Sequence, residues 1–193
     1  VVLDAGCGTG YGSRLLGDSG AARVLGLDID RLSVAFARRR FANATVRFER
    51  ADCEALDLAP ASLDFVFASN VLEHLDRPER FLAVAARALR PGGRALFAVP
   101  PISSPASAAL HHGIHYHRSN LSVGAWHARL AAHPWSVAAF AHTFAGEGPG
   151  PDFTSPFPSA LPAGRFAFTP VSAEDLERRP SITALFLAEK PAA

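Results

Sequence analysis

Through its first hundred residues the chain alternates short apolar runs with stretches whose apolar positions recur at helical spacing. That pattern predicts a parallel sheet covered by helices. Residues 1–4 read as the first strand, stopped by the glycines that begin at Gly6, and a short helix over 12–17 and a strand over 23–28 follow. Asp30 is placed to cap a helix through Phe41, with Leu32, Ala35 and Phe36 on its buried side and Arg38, Arg39 and Arg40 largely outside. Residues 46–50 form a third strand, and 63–68 (LDFVFA), almost continuously apolar, suit a fourth covered on both faces.

Asp76 and Glu79 have the spacing of a capping box ahead of Phe81, Leu82, Ala85, Ala88 and Leu89, a helix expected to stop at Pro91-Gly92-Gly93. Residues 94–99 return to strand. Beyond Pro100-Pro101 the pattern gives a helix over 121–132 and two last strands over 137–143 and 183–190. Between those strands, residues 145–180 are rich in Pro and Gly without periodicity, and read as a lid, a binding loop or an insertion. The expected architecture is a three-layer α/β/α, Rossmann-like doubly wound sheet, mostly parallel with an antiparallel last strand. It forms one domain over residues 1–193.

Composition narrows the class. With 49% apolar residues and a formal charge of +1, the chain is neither disordered nor a nucleic-acid binder driven by bulk charge. No apolar run reaches the roughly 20 residues of a membrane span. Two cysteines are too few for a disulfide framework and no leader pattern opens the chain, so a reducing cytoplasm is expected. Lys190 is the only lysine, and alanine is abundant, which reads as genome composition bias. Arg38 to Arg40 read as a solvated helix face. There is no Met, and strand character begins at Val1, so a piece of a longer protein is expected.

The densest chemical signal is VLDAGCGTGYG, residues 2–12, directly after a strand and opening a helix. Gly6, Gly8 and Gly10 remove side chains where the backbone must turn sharply and a ligand can approach the main chain. Tyr11 occupies the position where a dinucleotide fingerprint needs its third glycine, and the lysine of a phosphate-binding P-loop is absent. Asp28 ends the second strand, where a carboxylate can accept from both hydroxyls of a ribose. That acid would serve NAD equally well, and capping of the next helix is its structural alternative; Asp30 reads as the cap.

DAGCGTG, GLDID, RADCEAL, FASNVLEHL and LRPGGRALFAVP, in this order over residues 1 to 101, resemble the class I S-adenosylmethionine-dependent methyltransferases, closest to a broad bacterial small-molecule group. The resemblance implies S-adenosyl-L-methionine as cofactor, a cofactor half over 1–101 and an acceptor half over 102–193. It implies that Asp4 and the backbone of Gly6, Cys7, Gly8 and Gly10 hold the methionine part, that Asp28 takes the ribose, and that Ile29 packs on adenine. Asp52 would accept from the adenine amino group, Cys53 would offer its backbone N–H, and Asn70 would turn its carbonyl to the methionine ammonium. Members usually place helices before the first strand. The expectation is therefore an active enzyme in the longer protein, with residues 1–193 alone binding cofactor weakly or not at all. An NAD-dependent oxidoreductase and an inactive cofactor-binding module are the alternatives.

The acceptor is expected to be a small molecule methylated at oxygen, for which a general base would help. His74, just after the fourth strand, and His117 are the candidate catalytic residues; His74 could instead hold Glu73 or its loop in place. Seven of the eight histidines fall between His111 and His142. His111, His112, His115 and His117 could be metal ligands, but their spacing matches no common zinc pattern and no Cys or carboxylate is adjacent, so no metal is expected. Cys7 and Cys53 read as small buried residues. Phe140, Phe144, Phe153, Phe157, Phe166 and Phe168, with Trp126 and Trp135, are expected mostly in the core, with some on the pocket wall.

Overall fold

The computed structural model describes residues 1–146, 164–178 and 182–192. One eight-stranded sheet organises them, in the order β3-β2-β1-β4-β5-β8-β6-β7. Its strands are β1 (Val2–Ala5), β2 (Val24–Asp28), β3 (Val46–Arg50), β4 (Leu63–Ser69), β5 (Leu89–Val99), β6 (Ser136–Gly146), β7 (Gly164–Val171) and β8 (Ala184–Glu189). The first five are mutually parallel. The helices are α1 (Tyr11–Asp18), α2 (Arg31–Phe41), α3 (Pro78–Ala88), α4 (Pro105–His112), α5 (Val123–Ala131) and α6 (Ala173–Arg178).

Strand alternation puts a core on each face, because successive side chains point to opposite sides. Leu3 and Ala5 join a cluster with Phe81 and Leu82 of α3, Trp126 and Leu130 of α5 and Leu176 of α6. Val2 joins the other, with Val34 and Ala37 of α2. The result is the expected doubly wound three-layer arrangement. Its chain order reverses at β1, which has β2 on one side and β4 on the other. In such sheets ligands bind beyond the carboxyl ends of the strands at this switch.

Four local expectations change. Two strands, not one, run antiparallel: β8 pairs with β5 and β6, and β7 pairs with β6. The aperiodic stretch 145–180 contains β7 and α6; the rest of it, 147–163 and 179–180, lies outside the described residues. Pro170 sits in β7, at one edge of the sheet among the described residues, where a residue without an N–H is best tolerated.

In α2, Val34 and Ala37 are buried while Leu32, Ala35 and Phe36 are exposed. Both stripes have helical spacing, and close packing decides between them: a Cβ at Gly10 would lie 2.6 Å from the Ala37 Cβ. The cap at Asp30 forms as expected, its carboxylate accepting from the Ser33 N–H at 2.7 Å. The Asp76–Glu79 capping box does not form. Arg77 is the N-cap of α3, and its N–H donates to Glu54 Oε1 at 2.7 Å. The helix ends at Ala88, before Pro91, where the Lys190 ammonium donates to the carbonyls of Ala86 and Leu89. A cation at a helix C-terminus suits both its free carbonyls and its dipole.

Candidate functional site

The ends of β1, β2, β3 and β4 supply the site, and the glycine loop after β1 shapes it. Gly6 has φ +66°, and a Cβ there would stand 2.3 Å from Val71 Cγ2, so only glycine lets the loop pass over the segment that follows β4. Gly8 also has a left-handed backbone, with open space where a Cβ would point, room for a ligand against the main chain. Gly10 faces α2 and β3 rather than the opening: a Cβ would meet Ala37 and Phe48.

Asp28 is tied to this loop. Its Oδ2 accepts the Gly8 N–H at 2.7 Å and its Oδ1 the Asp30 N–H at 2.8 Å, leaving each oxygen capacity for a further donor. Asp30 caps α2, so Asp28 is not the helix cap. Asp4 is 3% exposed and accepts the Ser13 hydroxyl at 2.5 Å. Burial lifts its carboxyl to about 6, against the Ser13 hydrogen bond and with a smaller push from Asp28. Asp52 is exposed and accepts the Glu54 N–H at 2.9 Å. Asn70 holds a left-handed backbone, φ 52°, and donates its N–H to the Ala98 carbonyl.

Two cavities open at these strand ends. The first, about 430 Å³, is lined by Gly6, Asp28, Ile29, Ala51, Asp52, Cys53, Glu54, Asn70, Val71, His74, Leu75 and Asp76. The second, about 400 Å³, is lined by Asp4, Gly6, Cys7, Tyr11, Gly12, Leu15, Leu16, Phe67, Ser69 and Asn70. Gly6 and Asn70 are common to both. Cys7 and Cys53 are buried free thiols, each pushed up to about 12 by burial, which leaves them protonated and unreactive at neutral pH.

His74 ends a single 3-10 turn, Leu72–His74, at the wall of the first cavity. Its Nδ1 stands 3.3 Å from the Tyr116 carbonyl, and its ring centroid lies 5.0 Å from that of His117. The residue that sequence reasoning missed is Glu73. It is 2% exposed, its Oε2 has no hydrogen-bond partner, and burial raises its carboxyl to about 7. Its signal in the sequence is its place beside His74 in the FASNVLEHL motif. His117 is held below its ordinary value by burial and by the neighbouring His74 and His111. The four-histidine set is not assembled: His112 bonds the Ala108 carbonyl of its own helix, and His115 packs on Tyr116.

Among the described residues, none of the expected aromatic wall lines either cavity. Trp126 and Trp135 are core, and Phe166 and Phe168 are exposed on β7. Phe153 and Phe157 lie outside the described residues.

Comparison with known proteins agrees with this geometry. Residues 3–97 match a methyltransferase domain. Over 99 residues the chain is 42% identical to a probable S-adenosylmethionine-dependent methyltransferase of Mycolicibacterium smegmatis, covering 51% of this chain and 37% of that one. Over 94 residues it is 37% identical to a malonyl-[acyl-carrier protein] O-methyltransferase of Hahella chejuensis, covering 48% and 34%. The chain thus spans about a third of the length of these relatives. Among solved structures, a methyltransferase bound to the Trm112 methyltransferase activator of Haloferax volcanii superposes with a TM-score of 0.74 at 25% identity, covering 98% of this chain and 82% of that one. Domain and fold together imply S-adenosylmethionine as cofactor, and no helix among the described residues is long and apolar enough to cross a membrane.

Proposed function

We propose that this chain is the cofactor-binding and acceptor-facing domain of an enzyme that transfers a methyl group from S-adenosylmethionine to oxygen on a small-molecule acceptor. The observation that carries the reading is the pair of neighbouring cavities that share Gly6 and Asn70 in their walls, with Asp28 and Asp52 on one and Asp4 on the other. Such a divided opening suits a nucleoside joined to a charged amino acid. When bound, the cofactor supplies a methyl group activated by its sulfonium. The chain does the rest by binding and alignment, which can supply up to about 7–11 kcal/mol of the barrier.

In this reading Asp28 accepts from the ribose hydroxyls and Ile29 packs against the adenine. Asp52 and the Cys53 N–H meet the adenine edge, while Asp4, the backbone of residues 6–10 and the Asn70 carbonyl face the ammonium. His74 and His117 are the proposed proton acceptors for an acceptor hydroxyl. Residues 1–101 form the cofactor half and 102–193 the acceptor half of one domain. The O-methyltransferase named for the Hahella relative supports oxygen as the target, and the Tyr11 position disfavours NAD.

Calorimetric titration with S-adenosylmethionine, S-adenosylhomocysteine and NAD, at concentrations that reach millimolar affinities, tests this. Asp28→Ala should weaken the first two by about tenfold or more, the loss of a hydrogen bond to a charged group. Binding of NAD, or sulfur-ligand affinity unchanged in the variant, overturns it.

A further inference from the structure

The groups that the cofactor reading leaves unused gather beside the Leu72–His74 turn. The backbone carbonyl of Glu73 accepts the N–H groups of Arg118 at 2.7 Å and Ser119 at 2.9 Å, which fastens the end of the histidine-rich segment against it. Inside this junction Glu73 Oε2 is buried without a hydrogen-bond partner, while the Asn120 side chain lies within hydrogen-bonding reach of the His117 ring. An unpaired buried carboxylate oxygen beside two imidazoles marks a place that a ligand completes.

The donor types say which ligand. One ligand atom each from Glu73, His74 and His117 lies within 4.8 Å of the other two. Ligands held about 2.1 Å from one tetrahedral zinc ion stand roughly 3.4 Å apart. The set therefore closes around an ion with side-chain shifts on the order of 1 Å, and His74, at the cavity wall, has room to turn. His111 stacks on His117 with centroids 5.3 Å apart and planes at 10°, which steadies that ring. Two imidazoles and a carboxylate favour zinc, cobalt, iron or nickel over magnesium and calcium, which prefer all-oxygen sets.

We propose that Glu73, His74 and His117 bind one divalent transition-metal cation of the zinc class. The carboxylate that the histidine-rich loop lacks in sequence is brought to it by the fold, across the end of β4. Three protein ligands leave a coordination position for water or for an oxygen of a bound molecule. With the ion in place the two imidazoles are ligands rather than proton acceptors. The site does not depend on methyl transfer, so its test stands apart from the calorimetry with sulfur ligands.

The chain, stripped with a chelator, is dialysed against zinc chloride and against cobalt, magnesium and calcium chlorides without cofactor, and bound metal is counted. Zinc should bind at one ion per chain, and cobalt should give the visible absorption bands of a nitrogen- and oxygen-ligated ion. Glu73→Gln, which keeps size, and His117→Ala, in the segment after α4, should each weaken zinc about tenfold or more. His112→Ala should leave it unchanged. No bound zinc, unchanged affinity in His117→Ala, or magnesium binding as tightly as zinc overturns the proposal. If Glu73→Gln fails to fold by circular dichroism, His117→Ala and the cobalt spectrum decide.

Discussion

The glycine-loop side and the histidine side of the opening share one sheet end and use their polar atoms differently. On the first, Asp4 is bonded to Ser13, Asp28 to the Gly8 and Asp30 amides and Asp52 to the Glu54 amide. On the second, Glu73 and His111 each bury a polar atom with no partner. A satisfied network fixes a geometry before any ligand arrives, whereas a half-satisfied one is stabilised when a ligand fills it. The two sides thus differ in preorganisation, and mutations should separate them.

The largest effect belongs to the preorganised side. Gly6→Ala places a Cβ against Val71 in a left-handed backbone, and strain and overpacking together should cost about 2–4 kcal/mol in a denaturant titration. Val71→Ala removes the obstructing methyl, so the double variant should recover about 1 kcal/mol or more relative to the sum of the singles. Additive costs would mean that the loop does not rest on Val71.

Asp4 sharpens the same side through pH. Burial raises its carboxyl from 3.8 to about 6, so between those values the folded chain holds a proton that the unfolded chain has released. Stability from this group therefore rises as pH falls through about 6 and is penalised at pH 7. Asp4→Asn removes the penalty: thermal melts should show it more stable by about 1–3 kcal/mol near pH 7, with the advantage gone near pH 4. Cofactor affinity should fall in the same variant if Asp4 faces the ammonium. A variant less stable at neutral pH would mean that the carboxylate is held by a counter-charge.

These two sides were unequally legible in the amino-acid sequence, for a physical reason. The glycine loop, Asp28 and the Asp30 cap depend on residues close along the chain, so spacing alone announces them. The histidine side depends on a contact between the Leu72–His74 turn and residues 116–119, which local patterns do not encode. The α2 helix shows the limit within one element. Leu32, Ala35 and Phe36 make as good a stripe as Val34, Ala37 and Phe41, and only the fit of Ala37 under Gly10 selects the buried one. Likewise Asp76 and Glu79 had the capping spacing, yet a long-range bond from Arg77 to Glu54 set the start of α3.

The smallest expected effect tests how firmly the acceptor side is anchored. α3 buries six of its residues and α4 buries none. An eight-residue helix is shorter than the about 12–15 at which isolated helices hold in water, so α4 depends on its ends. Those ends are the reciprocal Ser104–Ser107 capping bonds and the Gly113 N–H to the Ala109 carbonyl. Leu110, exposed on this helix, therefore contributes little to the folded state. Leu110→Lys, a swap between good helix formers, should change the unfolding free energy by less than about 0.5 kcal/mol. Amide hydrogen exchange should be faster in α4 than in α3, because exchange there needs only local opening. A loss above about 1 kcal/mol, or α4 amides protected like those of α3, would show that this segment is clamped as tightly as the glycine loop. The histidine side would then be preorganised too, and the contrast between the two sides would not hold.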